Sequence, residues 1–413
     1  MALIMVVIAI ALLTVVGTEL AYNSRVDMQL AANQRDEVRA YFLAKSGIGL
    51  ARLMLRFQRQ LDNIQIPTNL LSLLGVPPQV PQPSSLSIQL WRMAKIDCHM
   101  LQGLVDDEPP RGGIGPASSS SKFEFDDEFP ELGKAMATRK FGGFSGCFDV
   151  QIFDEEEKIN LNKLDAPQLT SQVLLAQTLS TFGDKKYEFL FEKEDSNKVK
   201  VAPADLVVSM RDWVDEDEVQ SQLNLTGQGD PFAKGFSDED HDYDRYDPRY
   251  EAKNARFDSL DELYRVHGVN DRFMAAFRDK LTVYPDINSR LNINTDDPVL
   301  LTLAIRSVAD PSRPDVRLQD PIFIDSLIQK IRLAKMFAIF GMSVVDFVNI
   351  VESAGVAVNP SIKSNPANQR YVGDKTTTFQ LKSVGTAGAV EKTLTAVVRT
   401  NEGLGTLVYW REE

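Results

Sequence analysis

Residues 1–66 contain no proline, and their first charged side chain is Glu19. The opening run MALIMVVIAIALLTVVG is apolar, and the stretch beyond it turns amphipathic without a break. A run of about 17 to 22 apolar residues, rising 1.5 Å per residue, spans a hydrocarbon core of about 30 Å. Past Glu19, apolar residues such as Val26, Leu30, Val38, Phe42, Leu50, Leu53, Phe57 and Leu61 recur at three- and four-residue spacing, with Arg35, Asp36, Arg39, Arg52 and Arg59 between them. The pattern predicts one helix to about Leu61, on the order of 90 Å long, whose first third lies in lipid. Gly17, Gly47 and Gly49 each weaken it by about 1 kcal/mol, but no proline forces a bend before Pro67. A secretory signal peptide needs a basic leader region and a small-residue cleavage site, and neither is visible. A signal anchor usually shows Lys or Arg on its cytoplasmic side. The direct start on apolar residues is the pattern expected once a short basic leader has been removed.

A chain of 413 residues suits two or three domains. Its net charge of −13 argues against a nucleic-acid surface, which needs clustered Lys and Arg, and favours divalent cations or basic partners. The two cysteines, Cys98 and Cys147, either pair, closing a loop of about 50 residues, or stand as two core thiols. With three histidines and no HExxH, GxSxG, Walker or CxxC pattern, the sequence gives a catalytic site no support.

Residues 67–90 are proline-rich, and DDEPPRGGIGPASSSSKFEFDDEFPE reads as a surface excursion within 99–146. The alternation from Cys147 to Phe153 reads as a strand, as do TTTFQLKSV, KTLTAVVRT and GTLVYWRE near the C-terminus. Between them lies a degenerate repeat. KINLNKLDAPQL (158–169) and RLNINTDDPVLL (290–301) share apolar-Asn-apolar-Asn followed by Pro and a helical run, with Asp165 or Asp296 placed for the helix start. FDSLDELYRVHGV (257–269) is echoed by MSVVDFVNIVESAGV (342–356), each opening on a capping box and closing on Gly268 or Gly355. Two such units predict a pair of small helical bundles that resemble helix-hairpin-helix modules, here without the basic surround that DNA binding requires.

MRDWVDEDEVQ (210–220) and SDEDHDYDRYDPRYEAKN (237–254) crowd the carboxylates Asp215, Asp217, Glu239, Asp240, Asp242 and Asp244 into a short irregular span. Hard oxygen donors in that number suit Ca²⁺, although the spacing is not that of an EF-hand, and a solvated acidic loop is the competing reading.

The start MALIMVVIAIALL, the segment AYFLAKSGIGLARLML, the INLN and LNINT turns, DWVDEDE…DPRYEAKN, FDSLDELYRVHGV and LTAVVRTNEGLGTLVYWRE together resemble the minor pseudopilin K family of the bacterial type II secretion system. The resemblance implies an α+β fold: a pilin-like long N-terminal helix packed on an antiparallel sheet, with a large inserted α-helical domain of two helix-hairpin-helix-like units. It places a transmembrane part at 1–22, the first part of the pilin-like domain at 23–163, the insert at 164–370 and closing strands at 371–413. It implies calcium in the insert, with Asp215, Asp217, Glu239, Asp240, Asp242 and Asp244 at the matching positions. It further implies a single pass through the bacterial inner membrane and a periplasmic body. The implied partners are minor pseudopilins of the I, J and H types, the major pseudopilin, and a prepilin peptidase that leaves Met1 as the first mature residue.

Most pilin-like subunits carry Glu at position 5, where it pairs with a neighbour's terminal amine in lipid. An unpaired carboxylate there is costly, so the pairing selects partners. Met5 stands here instead, which fits a subunit that docks beneath no predecessor and so occupies the tip. Three readings are carried forward: a non-enzymatic tip subunit that starts the pseudopilus, a minor pilin of a type IV pilus or DNA-uptake apparatus, and a membrane-anchored enzyme.

Overall fold

The computed structural model describes residues 2–62, 89–93, 95–98, 140–141, 144–166, 168–192, 200–224, 229–337, 341–366, 371–400 and 403–413. Met1, Pro167 and the Ser/Gly-rich excursion up to residue 139 lie outside them. Helix α1 runs unbroken from Ala2 to Asp62. Among the described residues it is the helix long and apolar enough to cross a membrane, and its N-terminal apolar side chains, Met5 among them, are exposed.

The C-terminal half of α1 lies on a five-stranded antiparallel sheet in the order β1 (Ile96–Asp97), β2 (Cys147–Asp154), β3 (Thr378–Ala387), β4 (Val390–Arg399) and β5 (Thr406–Glu412). The helix buries Ala40, Leu43, Ala44, Ile48, Ala51 and Leu55 against Phe148, Val150, Leu381 and Leu394, a face set by three- and four-residue spacing. Small residues bring the two backbones close. A Cβ on Gly385 of β3 would lie 2.0 Å from the Ala40 carbonyl oxygen. Cys98 and Cys147 are joined by a disulfide that fastens the edge strand β1 to β2.

β2 and β3 are hydrogen-bonded neighbours, with Asp154 opposite Phe379, yet residues 155–377 run between them. That insertion is a head of two bundles with separate cores. One core gathers α2 (Gln168–Phe182), α3 (Pro203–Val214) and residues to Tyr284. The other gathers α4 (Pro298–Val308), α5 (Pro321–Phe337) and α6 (Val344–Ser353).

Each Asn-rich turn ties its own bundle together. Asn162 donates to the carbonyls of Phe257 and Val283, and Asn294 to those of Met342 and Asp374. The capping residue of α4 is Asp297 and not Asp296, because Asp297 directly precedes Pro298 and its carboxylate accepts from the Val299 N–H at 2.7 Å. Asp296 instead pairs with Lys335, and Asp165 with Arg211.

The head is fastened to the sheet where the chain leaves and re-enters. The buried Asp154 carboxylate accepts from the Glu156 N–H and from the hydroxyl of Thr376. Burial, reinforced by the neighbouring Glu156, pushes its pKa up to about 8.

Candidate metal centre

Helix α3 turns Leu206, Val207, Met210, Trp213 and Val214 into the first core. Its last turn carries Asp212, and Asp215 caps its C-terminal end with an N–H donated to the Arg211 carbonyl. The chain then makes an antiparallel ribbon, Val219–Leu223 with Phe232–Asp238, and returns to the same place. Glu239 sits there because its N–H reaches the Glu218 carbonyl at the ribbon's foot.

Asp212, Asp215 and Glu239 are each at most 5% exposed, and one carboxylate oxygen from each lies within 4.8 Å of the other two. Asp212 accepts from the Ser221 N–H at 3.0 Å, and Asp215 meets Arg211 at 3.3 Å. Both oxygens of Glu239 and Oδ1 of Asp215 are buried with no hydrogen-bond partner. Burial pushes Asp212 up to about 6, with the Ser221 hydrogen bonds opposing it. It pushes Asp215 up to about 7 despite Arg211, whose charge Asp165 shares. Glu239 rises to about 9 through burial and then repulsion from Asp212, Asp215 and Asp217. Carboxylates at a helix C-terminus also oppose the helix dipole, which favours a positive charge there.

The donors are all hard oxygens, and one from each residue converges on the others, so the residues fit a divalent cation of the Ca²⁺ class. Asn254, held at φ 48°, carries a further buried and unpartnered side-chain oxygen.

Of the six candidate carboxylates, only Asp215 and Glu239 join the cluster. Asp217 points to the ribbon: it accepts from the Val219 N–H and pairs with Lys234 at 2.8 Å, a bond that holds its pKa below the usual range. Asp240 accepts from the Ala252 N–H at 2.8 Å, while Asp242 pairs with Arg245 and Asp244 with Arg249. Asp212 completes the trio; it opens the DWVDEDE stretch but is not among the six carboxylates singled out from the sequence. The available signal was its place in the last turn of the helix, three residues before Asp215.

Residues 157–286, which span this cluster, match the family model described as type II secretion system (T2SS), protein K. That segment coincides with the first bundle, from the Asn160 turn to Tyr284. A chain of the crystal structure of the GspK-GspI-GspJ complex from the enterotoxigenic Escherichia coli type 2 secretion system is similar at 16% identity and a TM-score of 0.41, covering 68% of this chain and 84% of that one. No curated protein matches.

Proposed function

We propose that this chain is a non-enzymatic minor pseudopilin that stands at the tip of the type II secretion pseudopilus. It starts assembly with minor pseudopilins of the I, J and H types, ahead of the major pseudopilin, for protein export across the outer membrane. Residues 1–22 anchor it in the inner membrane, a prepilin peptidase serves its maturation, and the body lies in the periplasm.

The observation that carries this reading is the head. Residues 155–377, which include the protein K segment, emerge between neighbouring strands of the sheet that α1 carries. Such a mass obstructs any subunit stacked above it, whereas the stalk below stays free to pack. Met5 supports the same reading from the other end, since α1 has no acid before Glu19 with which to claim an earlier subunit's amine. Epitope-tagged chain on isolated pseudopili tests the placement. Label confined to one filament end is expected, together with loss of secretion when the chain is deleted. Label along the shaft, or normal secretion without it, overturns the reading.

Calcium belongs to the same proposal. Asp212, Asp215 and Glu239 would hold the ion, which would neutralise carboxylates that otherwise repel one another and would fasten both feet of the 219–238 ribbon.

A further inference from the structure

A cleft of about 700 Å³ opens where the sheet and both bundles of the head meet. Ile152 and Phe153 of β2 and Trp91 form its apolar wall; α2 contributes Gln177, and Asp279 and Asp297 come from the two bundles. The volume lies in the range of sites that enclose a small group or a peptide side chain.

What distinguishes the cleft is a set of acceptors with capacity to spare. Gln177 is 4% exposed, and its Oε1 is buried with no partner. Among the described residues Asp279 has no side-chain hydrogen-bond or ion-pair partner, and Asp297 gives the Val299 N–H one oxygen and keeps the other. The cations on the rim are already engaged. Arg92 pairs with Glu157 and covers the Trp91 ring at 4.9 Å, Lys158 pairs with Glu155 at 2.6 Å, and Lys280 donates to the Tyr187 hydroxyl at 2.8 Å. A buried acceptor without a donor is costly, and unpaired carboxylates in a chain of net charge −13 favour a positive ligand.

We propose that this cleft binds an arginine side chain presented by an apolar-flanked segment of a partner protein, the guanidinium bonding Gln177, Asp279 and Asp297 and the flanking residue packing on Phe153. A guanidinium supplies several N–H donors in one plane, and the apolar wall favours a peptide over a free polyamine. Bound there, the segment would touch the sheet and both bundles at once, and so hold the head at a fixed angle to the stalk.

The test is calorimetric titration of the full chain in detergent with acetyl-Leu-Arg-Leu-amide, its citrulline counterpart and spermidine. The expected result is saturable binding of the arginine peptide, at least ten-fold weaker binding of the citrulline peptide and of spermidine, and loss of arginine-peptide binding in Asp279→Lys. That substitution is at an exposed position and leaves the fold intact, which circular dichroism checks; Gln177→Leu is expected to weaken the same peptide at least five-fold. Equal binding of the citrulline peptide or spermidine, an unchanged Asp279→Lys variant, or no saturable binding overturns the proposal.

Discussion

The side-chain amide of Asn162 grips the peptide group of Phe257 at two points, donating to its carbonyl at 3.1 Å and accepting from its N–H at 2.8 Å. Asn294 grips Met342 in the same way, at 3.1 and 2.9 Å. The degenerate sequence repeat is therefore a repeated clamp, joining each Asn-rich turn to a residue just ahead of the capping serine of the next helix. Asn162→Ala or Asn294→Ala leaves buried peptide groups without partners, a loss of about 3 kcal/mol. Thermal unfolding is expected to show each variant several degrees less stable, with each bundle failing by itself; a fall under 1 °C for both would contradict the clamp.

The acidic trio predicts a pH dependence whose direction depends on the cation. Asp212, Asp215 and Glu239 have raised pKa values in the fold, about 6, 7 and 9, against 3.8 to 4.5 for the free groups. The fold therefore prefers their protonated forms. Without a cation, their cost is absent below about pH 4 and grows as pH rises through those values. In chelator, the melting temperature is expected to fall from pH 5 to pH 8.5. Calcium is expected to raise it, more at pH 8.5 than at pH 5, by about 2.7 kcal/mol at a hundred-fold excess over Kd. Asp215→Asn with Glu239→Gln should abolish the calcium response and flatten the slope in chelator. The slope that remains belongs to Asp154, at about 8 in the fold, and to Asp212, which burial still raises, with Asp62, Glu156 and Glu157 raised by burial in the same direction.

The contact between α1 and the sheet gives a paired test. A methyl group on Gly385 would meet the backbone of Ala40 at 2.0 Å and of Ala44 at 2.7 Å, so Gly385→Ala must push the helix off the sheet. A loss of about 3 kcal/mol is expected. Gly49, on the same helix, has nothing within 4 Å of the added carbon. Gly49→Ala should stabilise by about 1 kcal/mol through helix propensity alone. Chemical denaturation in detergent reads both, and equal effects would show that close packing is not what the glycine at 385 serves.

The disulfide predicts a loss on removal. Cys98 and Cys147 enclose a separation of 49 residues. Replacing both by serine is expected to cost about 4 kcal/mol through the freedom regained by the unfolded chain. Unchanged denaturation midpoints in reductant would count against it.

Much of this architecture is legible in the residues because its signals are local. The missing prolines and the apolar spacing gave α1 its length, and alternation marked β2 to β5 close to their observed bounds. The paired Asn turns marked the two bundles. The cluster was less legible, because proximity in a loop of acids does not say where each carboxylate points. Asp217, Asp242 and Asp244 found cations on the surface, and Asp240 found a backbone N–H. Asp212 stood in the DWVDEDE stretch but was not singled out, because it lies inside a helix, outside the densest acidic run. The 219–238 ribbon, with its polar sequence and no strong alternation, brought Glu239 beside it across a separation that spacing cannot measure.

The break between β2 and β3 sets an order on synthesis. The ribosome finishes β2, then must deliver the whole head before the strand that pairs with it exists, so the central ladder closes late and across a long separation. Until then α1 has little to lie on. A truncated or slowly folding head thus leaves the stalk without its platform, and an incomplete molecule has no finished sheet on which to bury the apolar face of the helix.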